Sequence, residues 1–340
     1  MLEKDDLSVI YVKKDFISEN EIRWCPGCGD YGIFNALVQA FAKLNIPKEN
    51  FVVISGIGCS SRLPYYCNTY GFHSLHGRAL TIAMGVRMSN PKLSIWVATG
   101  DGDALSIGGN HFIHTIRKNP NINVLLFNNE IYGLTKGQVS PTSPYGLKTK
   151  TSPLGSIDTP INALKLALVS GATFAARALA TNIAMMREIF IAAGLHKGIS
   201  IIEILTNCII FNDGCFSPFE QKSTKADNTL VLSNNQPLVF GKDLNKGITF
   251  ANWMPKVINF INDEDKKNII IHNSSNNSNI YFEILATLKY PEFPLLLGIF
   301  KNISTNTYEN LLLEKEKYAK ENAKIKTIEN LMDGGDTWII

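Results

Sequence analysis

Between residue 29 and about residue 205 the chain alternates short apolar runs with helical periods, and this confines it to βαβ units on a parallel sheet. Asp30 is placed to cap a helix whose apolar positions Ile33, Phe34, Leu37, Val38, Phe41 and Leu44 follow the helical repeat, with Pro47 just past its end. Strands are predicted at 51–54, 93–98, 124–127, 173–178 and 199–205, and helices at 78–88, 109–118, 160–170 and 183–193. The expected class is α/β, a doubly wound, mostly parallel sheet. Beyond about residue 215 the periodicity weakens, polar clusters such as 273–277 appear, and a charged helix is predicted at 311–326. The expected organisation is a main domain over 1–215 and an extension, 216–340, packed on it.

Composition narrows the partners. With 340 residues and 45% hydrophobic content the chain can bury a sizeable core. Thirty-three Lys and Arg against 30 Asp and Glu give a net charge of +3, too little for a protein that neutralises many phosphates, so nucleic acid is not expected as a partner. No apolar run approaches the roughly 18 residues of a membrane helix. The first residues mix both charge signs where a signal peptide would carry its apolar stretch, so a cytoplasmic protein without membrane contact is expected. Six cysteines are too few for a disulfide scaffold and read first as metal or redox groups.

Gly100-Asp101-Gly102 and Asn128-Asn129 each stand where a predicted strand gives out, at the carboxyl edge where open α/β sheets bind ligands. Glycines let the backbone approach phosphate oxygens, and a carboxylate and an amide oxygen are hard ligands suited to Mg²⁺. Asp101, Asn129 and the backbone carbonyl of Ile131 would hold such an ion against a diphosphate. Taken singly, each motif could be an ordinary turn. Jointly they resemble the thiamine diphosphate signature.

Cys25-Pro26-Gly27-Cys28 precedes the first helix, and Cys59 ends the run Gly56-Ile57-Gly58-Cys59. A C-x-x-C pair can hold one edge of an iron–sulfur cluster or of a zinc site. A fourth thiolate must come from Cys67, Cys208 or Cys215. Cys208 is preferred because it follows the 199–205 strand and shares its carboxyl edge, while Cys67 and Cys215 read as free thiols. A second C-x-x-C is missing, which weakens zinc.

Trp24–Asp30, Gly56–Ser60, His76-Gly77-Arg78, Gly100–Asp103 and Asn128–Thr142 occur in the order of one family. Together they resemble the β subunit of 2-oxoacid:ferredoxin oxidoreductases, a likeness that runs through Gly171–Arg177 and more loosely to Phe240–Asp243. Among these the 2-oxoglutarate type, also called 2-oxoglutarate synthase, is the most similar.

The resemblance implies a thiamine diphosphate-binding fold and a [4Fe–4S] cluster on Cys25, Cys28, Cys59 and Cys208. It implies Mg²⁺ on Asp101, Asn129 and Ile131. Ile57, Gly58, Cys59, Ser60, His76, Gly100, Gly102, Asp103, Gly133 and Leu134 would line the thiamine diphosphate. His76 and Arg62 are the candidate catalytic pair, Arg62 as a guanidinium gripping the far carboxylate of 2-oxoglutarate. His73 reads as structural, and Lys136 as either a further anion contact or a solvated loop charge, not assigned to the site. The implied reaction is oxidative decarboxylation of a 2-oxoacid to its acyl-coenzyme A, with electrons passed to ferredoxin. No residue plainly supplies the glutamate that activates the cofactor's pyrimidine; in the family it comes from the α subunit, so this chain would be half of an active site. The rival readings are a pyruvate enzyme, a non-redox thiamine diphosphate decarboxylase or carboligase, and a zinc-stabilised assembly module without chemistry.

Overall fold

The computed structural model describes residues 10–251, 254–260, 266–323 and 327–332. Eleven strands appear among them: β1 Phe51–Ser55, β2 Tyr70–His73, β3 Ser94–Gly100, β4 Ile122–Asn128, β5 Phe174–Leu179, β6 Ser200–Leu205, β7 Thr229–Leu232, β8 Val239–Phe240, β9 Lys246–Ala251, β10 Met254–Asn259 and β11 Leu295–Asn302. Eight form one sheet in the order β2-β1-β3-β4-β6-β5-β11-β7, and β10-β9-β8 form a small antiparallel sheet. In the large sheet every pairing is parallel except β11 with β5.

Strand alternation decides which helices cover which face. Phe51, Val53, Trp96, Ala98, Leu125, Phe127, Ile202 and Ile204 pack against the helices Asp30–Lys43 and Ile183–Leu195. Val52, Ile54, Ile95, Val97, Ile122, Val124 and Leu126 face the helices Ala79–Ser89, Gly109–Lys118 and Ala163–Val169. The sheet is thus doubly wound, and each central strand is buried on both sides, as its near-continuous apolar run requires.

Several elements depart from the sequence expectation. Asp30 is the first helical residue, not the cap; Gly29 holds the cap position without a side-chain bond. The helix expected at 160–170 starts only at Ala163, where the Asn162 side chain accepts from the Lys165 backbone N–H. The strand β2 was not legible, because it is only four residues long; all four are exposed on an edge. The charged C-terminal helix spans Tyr308–Glu321, and the expected residues 324–326 lie outside the described residues. Residues beyond 215 contribute β7 and β11 to the same sheet as the strands before them, and their apolar cluster around Phe282, Leu296 and Phe300 is shared with Leu164, Leu168 and Ala175. No helix among the described residues is long and apolar enough to cross a membrane.

Candidate cofactor and cysteine site

Strand register places the functional segments together. Ser55 lies beside Ala98, Gly100 beside Phe127, and Asn128 beside Leu205. These parallel strands therefore end level, and the chain leaving each of them, at 56–60, 101–103, 129–134 and 206–208, meets on one edge.

A cavity of about 180 Å³ opens there, and every residue expected to line thiamine diphosphate borders it: Ile57, Gly58, Cys59, Ser60, His76, Gly100, Gly102, Asp103, Gly133 and Leu134. Asp101, Asn129 and Ile131 border it too. The Ser60 hydroxyl is buried without a protein partner, in a wall otherwise rich in glycine backbone. A buried donor left open in this way fits a phosphate oxygen. Gly102 has no freedom to carry a side chain: a Cβ there would stand 2.1 Å from the Tyr132 ring, whose hydroxyl donates to the Gly102 carbonyl at 3.1 Å.

Asp101 is buried, and its Oδ2 accepts from Ser140 Oγ at 2.5 Å and Thr142 Oγ1 at 2.6 Å. Burial pushes its carboxyl group above the usual range, with the two hydroxyls opposing. A divalent cation would supply the counter-charge this carboxylate lacks. The Ile131 N–H donates to Asn129 Oδ1 at 3.1 Å, and Asn212 Nδ2 donates to the Asn129 carbonyl at 2.9 Å, which fixes the turn that carries the two other expected ligands. This all-oxygen donor set suits Mg²⁺.

Asp103 borders the cavity but turns its oxygens into the protein. Oδ1 accepts from the backbone N–H of Gly77 at 2.7 Å and of Ile57 at 3.2 Å and meets His76 Nδ1 at 2.6 Å; Oδ2 accepts from Thr99 Oγ1 at 2.6 Å. It ties two loops together and fixes the imidazole, so its effect on the cavity passes through His76.

The four expected cysteines surround an adjoining cavity of about 190 Å³. Gly133 forms part of its wall: a Cβ there would lie 3.3 Å from Cys208 Sγ and 3.9 Å from Cys59 Sγ. Trp24 Nε1 donates to the Cys59 carbonyl at 2.8 Å. Burial, with the nearby Asp30 carboxylate second, pushes the Cys59 thiol up to about 12 and the Cys28 thiol further still. Cys67 and Cys215 do not border this cavity; Cys67 is buried in the core with Tyr66. Among the described residues no three His, Cys, Asp or Glu side chains stand close enough to share one metal ion.

Arg62 does not border the cofactor cavity itself. It borders the cysteine cavity and an outer cleft of about 500 Å³ shared with Arg23, Tyr65 and His73, and that cleft shares Ile57, Gly58 and Leu134 with the cofactor cavity. His73, read from sequence as structural, is exposed there with Nδ1 3.0 Å from the Tyr65 hydroxyl. Lys136 is on the rim of a separate surface depression.

Residues 56–204 match the thiamine pyrophosphate enzyme family's C-terminal TPP binding domain. Over 333 residues the chain is 44% identical to the 2-oxoglutarate oxidoreductase subunit KorB of Mycobacterium tuberculosis, across 96% of this chain and 88% of that one. The chain belongs to the β subunits of the 2-oxoacid:ferredoxin oxidoreductases. It is also 44% identical over 214 residues to the 2-oxoglutarate synthase subunit KorB of Methanocaldococcus jannaschii, covering 62% of this chain and 77% of that one. A solved 2-oxoglutarate:ferredoxin oxidoreductase from Magnetococcus marinus, with 2-oxoglutarate, coenzyme A and succinyl-CoA bound, superposes with a TM-score of 0.78 at 31% identity, over 98% of this chain and 100% of that chain.

Within this β subunit, sequence reasoning missed residues that shape the site. Asp30, taken as a helix cap, borders both cavities, and burial pushes its carboxyl group up to about 7. A carboxylate directly after C-x-x-C-G, inside the first helical turn, was the available signal. Ser140 and Thr142 stand inside the 128–142 motif, but only folding brings their hydroxyls to Asp101.

Proposed function

We propose that this β subunit, with an α-type partner, carries out the coenzyme A-dependent oxidative decarboxylation of 2-oxoglutarate and passes the electrons to a ferredoxin. When bound, thiamine diphosphate supplies the thiazolium that accepts the electron pair released with CO₂, and a [4Fe–4S] cluster supplies single-electron steps.

The chain's own residues prepare for both groups. Ser60 and the backbone at Gly58, Gly100 and Gly102 bind the diphosphate; Asp101, Asn129 and the Ile131 carbonyl hold Mg²⁺. His76, fixed by Asp103, presents its other ring nitrogen to the cavity as a proton donor or acceptor. Cys25, Cys28, Cys59 and Cys208 hold the cluster. Arg62 offers a guanidinium to a second carboxylate, which distinguishes 2-oxoglutarate from pyruvate. Among the described residues bordering the cofactor cavity there is no glutamate, so the pyrimidine-activating carboxylate and much of the coenzyme A contact belong to the partner. Residues 1–215 carry these sites, and 216–340 extend the sheet beside them.

One observation carries the reading: Asp30, Cys59, Asn129, Gly133 and Leu134 border both cavities, so the two groups would be separated by a wall one residue thick. The relatives' names and the ligands bound in the Magnetococcus marinus enzyme support the substrate. The test is anaerobic co-expression with the α-type partner and an assay of ferredoxin reduction with several 2-oxoacids. Coenzyme A-dependent reduction is expected with 2-oxoglutarate, while activity on pyruvate alone would overturn the substrate.

A further inference from the structure

Behind the metal turn, on the side away from the cofactor cavity, lies a buried ion pair that no step above uses. Arg177 on β5 and Glu203 on β6 are direct neighbours in register, and Arg177 Nε meets Glu203 Oε2 at 2.7 Å with both side chains more than nine-tenths buried. The guanidinium also sits over the Phe300 ring of β11, 5.6 Å from its centre. β5 and β6 are already joined by a parallel ladder, and a buried pair adds little net stability over apolar side chains, so cementing two strands does not account for it.

The second oxygen of Glu203 leads elsewhere. Oε1 accepts from Asn128 Nδ2 at 2.8 Å, and Asn128 Oδ1 accepts from the Glu130 backbone N–H at 3.3 Å; together they orient the amide with Oδ1 toward Thr142. Thr142 Oγ1 lies 2.9 Å from that Oδ1 and 2.6 Å from Asp101 Oδ2. A hydroxyl has one proton, and here it is shared in a three-centre bond, the shorter leg to the charged oxygen of Asp101. The hydroxyl is thus held between two acceptors, one fixed by Glu203 and the other the expected metal ligand.

We infer that Arg177 and Glu203 are positioning residues for the metal site: through Asn128 and Thr142 they set the rotamer of Asp101, and so the affinity of the site for Mg²⁺. The inference rests on Asp101 being a Mg²⁺ ligand beside thiamine diphosphate. The first Asn of the Asn-Asn pair then has a role distinct from the second. Asn128 orients, and Asn129 binds. The relay also joins the extension to the cofactor, since its outermost contact is Phe300.

The test uses the αβ complex and measures thiamine diphosphate uptake by calorimetry as Mg²⁺ is varied, a readout independent of turnover. Glu203→Gln and Thr142→Val should each raise the Mg²⁺ concentration for half-maximal uptake about tenfold, as loss of an outer-shell partner does. Saturating Mg²⁺ should restore uptake. The double variant should match the single ones, because both cut one relay. If Glu203→Gln does not fold, Asn128→Ala leaves the ion pair intact and carries the same expectation. A midpoint within twofold of wild type in a folded variant, or effects that multiply in the double variant, would overturn the relay. Wild-type uptake that needs no divalent cation would overturn the metal assignment itself, and the relay with it.

Discussion

Around Asp101 the cavity wall is polar and already bonded, with Ser140 and Thr142 holding one carboxylate oxygen and the Asn129 turn pinned by Asn212. Around the four cysteines, one wall away, Trp24, Leu134, Ile209, Ile210 and Phe211 stand beside Arg23, Asp30 and Arg62, and burial raises the Cys28 and Cys59 thiols further above neutrality. The first cavity is organised before its ligands arrive. If it holds the proposed cluster, the second would rely on iron to draw the protons from its thiols, so its charged state would exist only with that cluster in place. Neighbouring sites can therefore fail separately, and the difference is open to experiment.

The largest expected effect is at Cys208. In the αβ complex, Cys208→Ser should take coenzyme A-dependent ferredoxin reduction to background while calorimetric uptake of thiamine diphosphate stays within about twofold. Joint loss of both would show that the two cavities form one cooperative unit. Asp101→Asn should produce the reverse pattern, raising the Mg²⁺ requirement for uptake about 100-fold or more with iron content unchanged. A loss of iron in that variant would break the distinction from the other side.

Arg62→Ala sharpens it further, because Arg62 borders the cysteine cavity and the outer cleft but not the thiamine cavity. We expect kcat/KM for 2-oxoglutarate to fall about 10- to 100-fold, the loss of a charged hydrogen bond, with a much smaller change for pyruvate. Equal losses on both substrates would remove the carboxylate role.

The smallest effect lies in the half of the sheet without a site. His196 meets Asn302 Oδ1 at 3.0 Å and His272 meets the Ile299 carbonyl at 2.9 Å, so both hold β11. Burial lowers the pKa of each below the ordinary 6.5, which means the folded chain keeps them neutral. The unfolded chain then binds more protons as pH falls through 6.5, and stability present above that pH is lost below it. Tm should decline on acidification below about pH 6.5, and His272→Gln should flatten the decline. An unchanged slope in that variant would assign the pH dependence elsewhere.

What the sequence revealed followed short-range rules. The strands β1, β3, β4, β5 and β6 are apolar on both faces and announce themselves, and Gly100–Gly102 and Asn128-Asn129 stand at their ends, where backbone geometry alone forces ligand-facing turns. β2 was hidden because it is only four residues long, too short for the alternation of Tyr70 and Phe72 with Gly71 and His73 to stand out. Asp30 looked like a cap because its partner Thr206 lies 176 residues away. The Arg177–Glu203–Asn128–Thr142 chain was equally invisible, since three segments must fold before any of its links exists. Metal-ligand and phosphate motifs are local in sequence; the residues that orient them are not.

The central claim is that an electron acceptor and an electron relay share one rim of this sheet. Iron and acid-labile sulfide analysis of the anaerobically purified αβ complex, together with the electron paramagnetic resonance spectrum after adding 2-oxoglutarate and coenzyme A, tests it most directly. About four iron and four sulfide per β subunit, held by Cys25, Cys28, Cys59 and Cys208, and a cluster signal that appears only with both substrates are the predicted result. Zinc in place of iron, or a cluster that survives replacement of Cys59 and Cys208, would contradict it.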